Sequence, residues 1–261
     1  MGINTNKYIK MGAGKVYFAP YDSSGNKTGN FRYLGETESL SYTASPETKE
    51  KKTSDSAVAT TAKKILTGMS RSGKLVCDEV APENLAMFVI GAASTHTQAS
   101  ATGSTETLTS VSPGTMRIVG ATASNPIGVR DISNVTVTGG GGSPSYTEGT
   151  DYTLDLTAGT ITVLENGNIS DGDDLDLTYD VASKSWDHIE SSNTKQVKGE
   201  LVFIGDYTTG ENDDQYFPNV DLQPSGDFNI KSRQDFQQIE FDMSIMEPSS
   251  GEEMYIDTQA V

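Results

Sequence analysis

The sequence predicts an all-β protein with one short helix and a second β module inserted into the first. Three observations carry this reading. Segments in which apolar and polar residues alternate with a period of two recur along the chain, divided by turns rich in Gly, Asn, Ser and Asp. One stretch, "PENLAMFVIG", instead has helical spacing. A run of small residues, "AASTHTQASATGS", separates a second group of strand patterns from the first.

"GKVYFAPY", from Gly14, and "DSSGNKTGNFRYLG" after it read as two strands around a turn, with a third strand from Tyr33 to Ala44. Ser45 to Lys64 is polar and charged and has neither periodicity. Loops longer than about 15 residues are usually functional or disordered, so this segment is expected to be an arm at the tip of a long hairpin. "ILTGMSRSGKLVCD" then returns to a strand pattern.

In the helical stretch, Pro82 at the first position loses no needed hydrogen bond, and Glu83 suits the positive helix N-terminus. Leu85, Phe88 and Val89 share one face, Gly91 is the expected C-terminal cap, and Ala81 is a weak N-cap. A helix of this length, Pro82 to Ile90, cannot bury itself alone and must close one side or edge of a sheet.

Beyond the small-residue linker, "YTEGTDYTLDLTAGTITV" alternates cleanly. Tyr152, Leu154 and Leu156 are expected on one face, followed by Ile161 and Val163 after the turn at Ala158 and Gly159. "GGGGS", Gly139 to Ser143, reads as a flexible hairpin loop. After Trp186, "KQVKGELVFIGDY", "YFPNVDLQPSGDFNIK" and "QDFQQIEFDMSIM" resume the first pattern, with Ile239, Phe241, Met243 and Ile245 opposite Gln238, Glu240, Asp242 and Ser244. The division expected is 1–92, with the arm at 44–64, then an inserted β module at 93–185, then 186–261.

The chain has 261 residues, of which 34% are hydrophobic and 8% aromatic, and a formal net charge of −17. That apolar content is thin, which points to surface buried only by partner subunits. The acidic balance repels phosphate backbones and argues against ordinary nucleic-acid binding. A single cysteine, Cys77, excludes an internal disulfide framework, suits a reducing cytoplasm, and reads as a buried structural thiol. No leader pattern opens the sequence, and no apolar run nears the ~20 residues of a bilayer span.

The search for chemistry yields no catalytic, cofactor-binding or metal-binding residues. Asp171, Asp173, Asp174 and Asp176 have oxygen ligands for calcium, but the spacing does not fit the EF-hand loop. "GENDD" reads as an acidic turn in the same way. His96 and His188 are too distant in sequence for a zinc motif, and "GAGK" lacks the strand and helix of a phosphate-binding loop. A carbohydrate-binding or adhesin-type β-sandwich, with Trp186 and tyrosines as a stacking platform, is the alternative from another class.

Taken in order, "YLGETESLSYT", a charged arm, "TGMSRSGKLVCDEVAPENLAMFVIG" and "YFPNVDLQPSGDFNIKSRQDFQQIEFDMSI" resemble the major tail tube proteins of long-tailed (siphovirus-type) bacteriophages. The strand "RSGKLVCD" running into "PENLAMF" is the most characteristic part, and the resemblance covers roughly residues 14–92 and 195–256. It implies a tail-tube β-sandwich whose sheets join in hexameric rings around an inner β-barrel. Rings would stack into a conduit for DNA ejection, in a virion tail assembled in the host bacterial cytoplasm. Partners implied are copies of the chain, the tail terminator, tape measure and distal tail proteins, and DNA in transient passage, with no membrane and no enzymatic activity.

An arm of about ten residues per leg would reach on the order of 30 Å, enough to touch the next ring. Its mixed charges, Glu47, Lys49, Glu50, Lys51, Lys52, Asp55, Lys63 and Lys64, suit a polar stacking contact. Thr37, Ser39, Ser41, Gln238, Glu240 and Asp242 are the residues expected to face the lumen, where carboxylates and hydroxyls would let DNA slide. Leu85, Phe88 and Val89 are expected to pack the helix onto the other side of the sheet.

Overall fold

The computed structural model describes residues 9–55, 57–191 and 196–259. Ser56 of the expected arm and Lys195 of the expected strand lie outside these. The protein is all-β with one helix, and it divides into two compact units, residues 1–93 with 189–261 and residues 94–188.

Strands β1 (Gly14–Pro20), β2 (Arg32–Tyr33), β3 (Thr37–Lys52) and β4 (Thr61–Cys77) lead to helix α1 (Pro82–Phe88) and strand β5 (Gly91–Gln98). Then come β6 (Ala101–Val111), β7 (Met116–Ile118), β8 (Ile132–Gly139), β9 (Tyr152–Asp155), β10 (Thr160–Val163) and β11 (Asp173–Val181). The chain finishes with β12 (Lys184–Ser191), β13 (Val197–Gly205), β14 (Asn212–Ser225), β15 (Ile239–Ile245) and β16 (Tyr255–Gln259).

The main unit is one sheet in the order β2-β1-β13-β14-β15-β4-β3, with antiparallel pairing throughout. Strand β14 is long enough to serve two partners along one edge, β16 at Asn212–Tyr216 and β15 at Val220–Ser225. Alternate residues of these strands form a single core: Val16, Phe18, Leu75, Leu201, Phe217, Leu222, Phe241 and Met243, with Cys77 among them. The sheet curls around this core. Tyr42 of β3 meets the Phe217 ring edge-on at 5.9 Å, although three strand spacings in a flat sheet would separate them by about 14 Å. The curl stops short of a closed barrel, since β2 and β3 end the strand order without pairing to each other.

Helix α1 is shorter than its sequence suggests. Pro82 starts it and Ala81 makes no side-chain cap, but it ends at Phe88, with Ile90 at φ 52. Gly91 begins β5 instead of capping the helix, and glycine is required there because a Cβ would collide with the Glu190 carbonyl oxygen. Leu85 and Phe88 lie against the core as expected, joined by Met87. Val89 is the C-cap residue beside Gly91, outside the helical stripe that meets the core. The deepest helix residue is polar: Asn84 is fully buried, donates to the Leu34 and Glu79 carbonyls at 2.7 and 3.0 Å, and accepts from Arg32 at 2.8 Å. A buried amide with its bonding capacity met fixes the helix in one register on the sheet.

The inserted unit has two three-stranded sheets, β6-β11-β8 and β7-β10-β9, sharing a core that includes Val111, Val137, Tyr152, Ile161, Leu175 and Leu177. Leu156 does not continue the buried row of Tyr152 and Leu154. Asp155 ends β9 by accepting the Ala158 and Gly159 amides, so the chain turns there and leaves Leu156 45% exposed. The acidic run of β11 is likewise structural: Asp174 accepts the Ser110 amide and Asp176 accepts the Gly141 amide and the Thr107 hydroxyl. Strands β5 and β12 pair as a two-stranded ribbon that carries the chain into this unit and back out.

Candidate functional site: an exposed arm on an open-edged sheet

The segment without periodicity is a β-hairpin. Strands β3 and β4 pair from Thr37 and Cys77 outward to Lys52 and Thr61, and beyond Arg71 strand β15 no longer accompanies them. Residues 45–52 and 61–67 are therefore exposed on both faces. Alternation needs one buried face to select it, which is why these legs do not read as strands. At about 3.3 Å per residue the eight residues 45–52 project roughly 26 Å.

Along the arm, Glu50 faces Lys64 with an ion pair of 3.2 Å, while Lys51 stands directly opposite Lys63. Residues 45–70 carry five lysines against three carboxylates, a net +2, in a chain of −17, so the remainder carries −19. Near its base the arm is also apolar: Ile65, Leu66 and Met69 are 45%, 62% and 41% exposed. These three belong to the strand pattern "ILTGMSRSGKLVCD" that follows the expected arm, and the hairpin carries them beyond the core. At the root, the Arg71 guanidinium donates to Glu253, tying the hairpin to the segment before β16.

The other expected set meets on the side of the sheet opposite the core. Ser41, Lys74 and Asp242 form one cross-strand row, and Ser39, Val76 and Glu240 the next. Ser244, Ser72 and Thr43 form a third, and Gln223 of β14 extends the surface, with Asp221 buried next to it. Gln238 lies just before β15 and donates to Glu38 and Asp78, both at 2.9 Å.

Thr37 is elsewhere. A bulge at Glu38 makes Thr37 the partner of buried Cys77 while Ser39 partners Val76, so the two threonine and serine side chains belong to opposite faces. The face is also less acidic than its sequence implies. Lys74 pairs with Glu240 at 2.5 Å, and this hydrogen bond holds the lysine above its ordinary value.

Cys77 is buried, and desolvation pushes its thiol up to about 12, which removes it as a nucleophile at neutral pH. The two histidines, 92 positions apart, come together across the ribbon with ring centroids 5.8 Å apart, and His96 lies 4.8 Å from Trp186. Arg130 covers Trp186 at 5.3 Å. Among the described residues no group of three metal-ligating side chains accompanies the histidine pair, and no helix is long and apolar enough to cross a membrane.

No curated protein matches the chain. The family described as "Protein of unknown function UCP028589" matches residues 9–246, which span the strands of the main unit as far as β15 and the whole inserted unit. With nearly its full length matched, the chain belongs to that family.

Proposed function

We propose that this protein is a self-assembling structural subunit of a tail tube of the long-tailed phage type. The observation that carries the reading is the exposed, net-positive hairpin projecting from an acidic molecule whose longest edge strand, β3, has no partner along one side among the described residues. An isolated two-stranded hairpin is marginal in water, and a long open edge invites pairing with another chain. Copies of the same chain resolve both features. Neighbours in a ring pair edge to edge and complete the inner β-barrel, and the cationic arm reaches an acidic surface on the adjacent ring.

In that assembly the row of Ser39, Ser41, Glu240 and Asp242 lines the bore. Duplex DNA carries about one charge per 1.7 Å, and a surface of hydroxyls and carboxylates, with Lys74 already engaged by Glu240, offers it little to hold. The subunit's other contacts would be the tail terminator, tape measure and distal tail proteins. Its location would be the virion tail after assembly in the host cytoplasm.

The test is to replace residues 45–70 by an Asn-Gly turn joining Ala44 to Arg71, which already face each other in the ladder. Electron microscopy of the intact chain is expected to show stacked rings. The shortened chain is expected to remain folded and give at most single rings. Tubes of ordinary length from the shortened chain would overturn the role of the arm.

A further inference from the structure

The two ends of the main sheet differ in charge and in what they leave exposed. At one end β3 and β4 leave the body of the sheet as the arm. At the other, Thr37 pairs with Cys77 and Cys77 with Ile239, so β3 and β15 begin where β4 stops. The loop 226–238, which joins β14 to β15, lies at this second end.

Four carboxylates, Glu36, Glu38, Asp78 and Glu79, are exposed around these strand ends. Gln238 donates to both Glu38 and Asp78, and the Glu36 amide donates to Glu79. Among the described residues no lysine or arginine is ion-paired with any of the four. Residues 36–38, 78–79 and 226–238 together carry six carboxylates against Lys231 and Arg233, a net −4.

The loop is also apolar on its outside. Gln237 Nε2 donates to the Asn229 and Ile230 carbonyls at 3.0 and 3.2 Å, and Phe228 packs on Phe88 at 5.9 Å. Yet Ile230 is 82% and Phe236 is 96% exposed. A bonded loop that holds two large apolar side chains in water is preorganised for a partner.

The arm has the opposite charge and the same two components. Strand alternation sorts its residues: Lys49, Lys51, Lys63 and Ile65 share one face, and Glu50, Lys64 and Leu66 the other. Glu50 and Lys64 neutralise each other on the second face. On the first face Lys51 stands opposite Lys63, and neither lysine has an ion-pair partner among the described residues. Like charges directly opposite each other are destabilising, so carboxylates from elsewhere relieve this pair.

The order of the components matches as well. Outward from the root of the arm, Ile65 comes before Lys63. At the far end of the sheet, Gln238 touches the carboxylates, and Phe236 and Ile230 lie two and eight residues away along the loop.

We propose that the arm of one copy docks on the 226–238 end of the next, with Ile65 against Phe236 and Ile230, and Lys51 and Lys63 meeting Glu38 and Asp78. A copy stacked on the arm side in the same orientation presents that end to the arm. The contact is head-to-tail, so it repeats without closing, as a stack requires. It names the acidic surface that the self-assembling reading above calls for and rests on that reading.

Cys77 is the sole cysteine and is buried, so the test is disulfide trapping in the otherwise unchanged chain. Ile65→Cys and Phe236→Cys variants are mixed and oxidised, and the mixture is expected to cross-link at least tenfold more than either variant alone. In sedimentation, Glu38→Lys with Asp78→Lys is expected to weaken self-association at least tenfold. Adding Lys51→Glu and Lys63→Glu to that chain is expected to restore it.

Cross-linking of the mixture no stronger than that of the single variants would overturn the contact, and so would a charge exchange that restores nothing. Trapping of Phe236→Cys by Leu66→Cys as strong as by Ile65→Cys would overturn the choice of face. Tubes that form without the Ile65–Phe236 cross-link would sink this contact and leave the tube reading standing. The cross-link in a protein that never forms rings would do the reverse.

Discussion

The main unit leaves a long strand edge and an apolar loop exposed, where the inserted unit ties its loops down with its own aspartates. In residues 94–188, aspartates terminate the loops from within. Asp151 is buried and accepts the Thr147 and Asn168 amides at 2.8 and 2.9 Å with the Asn168 side chain at 2.7 Å, and Asp180 holds Gly103 and Asn134 in the same manner. The main unit has a sixteen-residue edge strand without a neighbour on one side among the described residues, and a loop with Phe236 in solvent. The lesson is that carboxylates do two jobs in one acidic chain. In the inserted unit they stand in for missing backbone partners, as Asp22 does for the Ser24 and Asn26 amides of the main unit, and around Asp242 of the main unit they dress an exposed sheet face.

The largest expected effects test whether the two cores are separate. Phe241→Ala should cost the main unit about 3–5 kcal/mol, and Leu177→Ala the inserted unit about 2–5 kcal/mol. Calorimetry should show each substitution lowering one transition. A shift of both transitions by either variant would break the comparison.

Next in size is Asn84→Ala, which strips bonds from Arg32 and the Leu34 and Glu79 carbonyls and should destabilise the main unit by about 1–3 kcal/mol. Urea titration followed by a main-unit probe checks it.

The inserted unit's pH dependence should come from its own carboxylates. Backbone hydrogen bonds, first from Asn168 and then Thr147, hold Asp151 below its usual range, and hydrogen bonds to Asp176 and Asp180 do the same. A depressed carboxylate contributes stability above its unfolded value, about 3.9, and loses it as pH falls through the folded value. The inserted unit's Tm should therefore be flat above about pH 5 and fall below about pH 4. In Asp151→Asn part of that fall should vanish, and an unchanged slope would count against the assignment.

Smallest is Lys63→Glu. It exchanges a like-charge pair with Lys51 for an opposite one and should stabilise the hairpin by roughly 0.2–1 kcal/mol, read as slower amide exchange in the arm alone.

How much of this was legible in the sequence follows from where one face is buried and the other wet. In β15 the residues Ile239, Phe241, Met243 and Ile245 are buried and Asp242 and Ser244 exposed, so alternation marks the strand. The all-β class with its single helix is legible for the same reason. The arm was not legible as strands because water lies on both sides of it. The Glu38 bulge shifts Thr37 off the face of Ser39 with no signal in the residues themselves. Asn84 reads as a polar surface position until Leu34 and Arg32 surround it. The His96–His188 approach depends on a ribbon whose two strands are separated by the entire inserted unit.

That ribbon has a consequence for how such a chain can change. Gly91 lies against the Glu190 carbonyl, the Ser94 hydroxyl donates to the His188 carbonyl, and Thr97 meets Ser185. Entry and exit of residues 94–188 are therefore side by side, so the cassette can be excised or exchanged by a short splice that moves neither flanking strand. Variation among related chains has in this spot a socket that accepts a new ornament without redesigning what carries it.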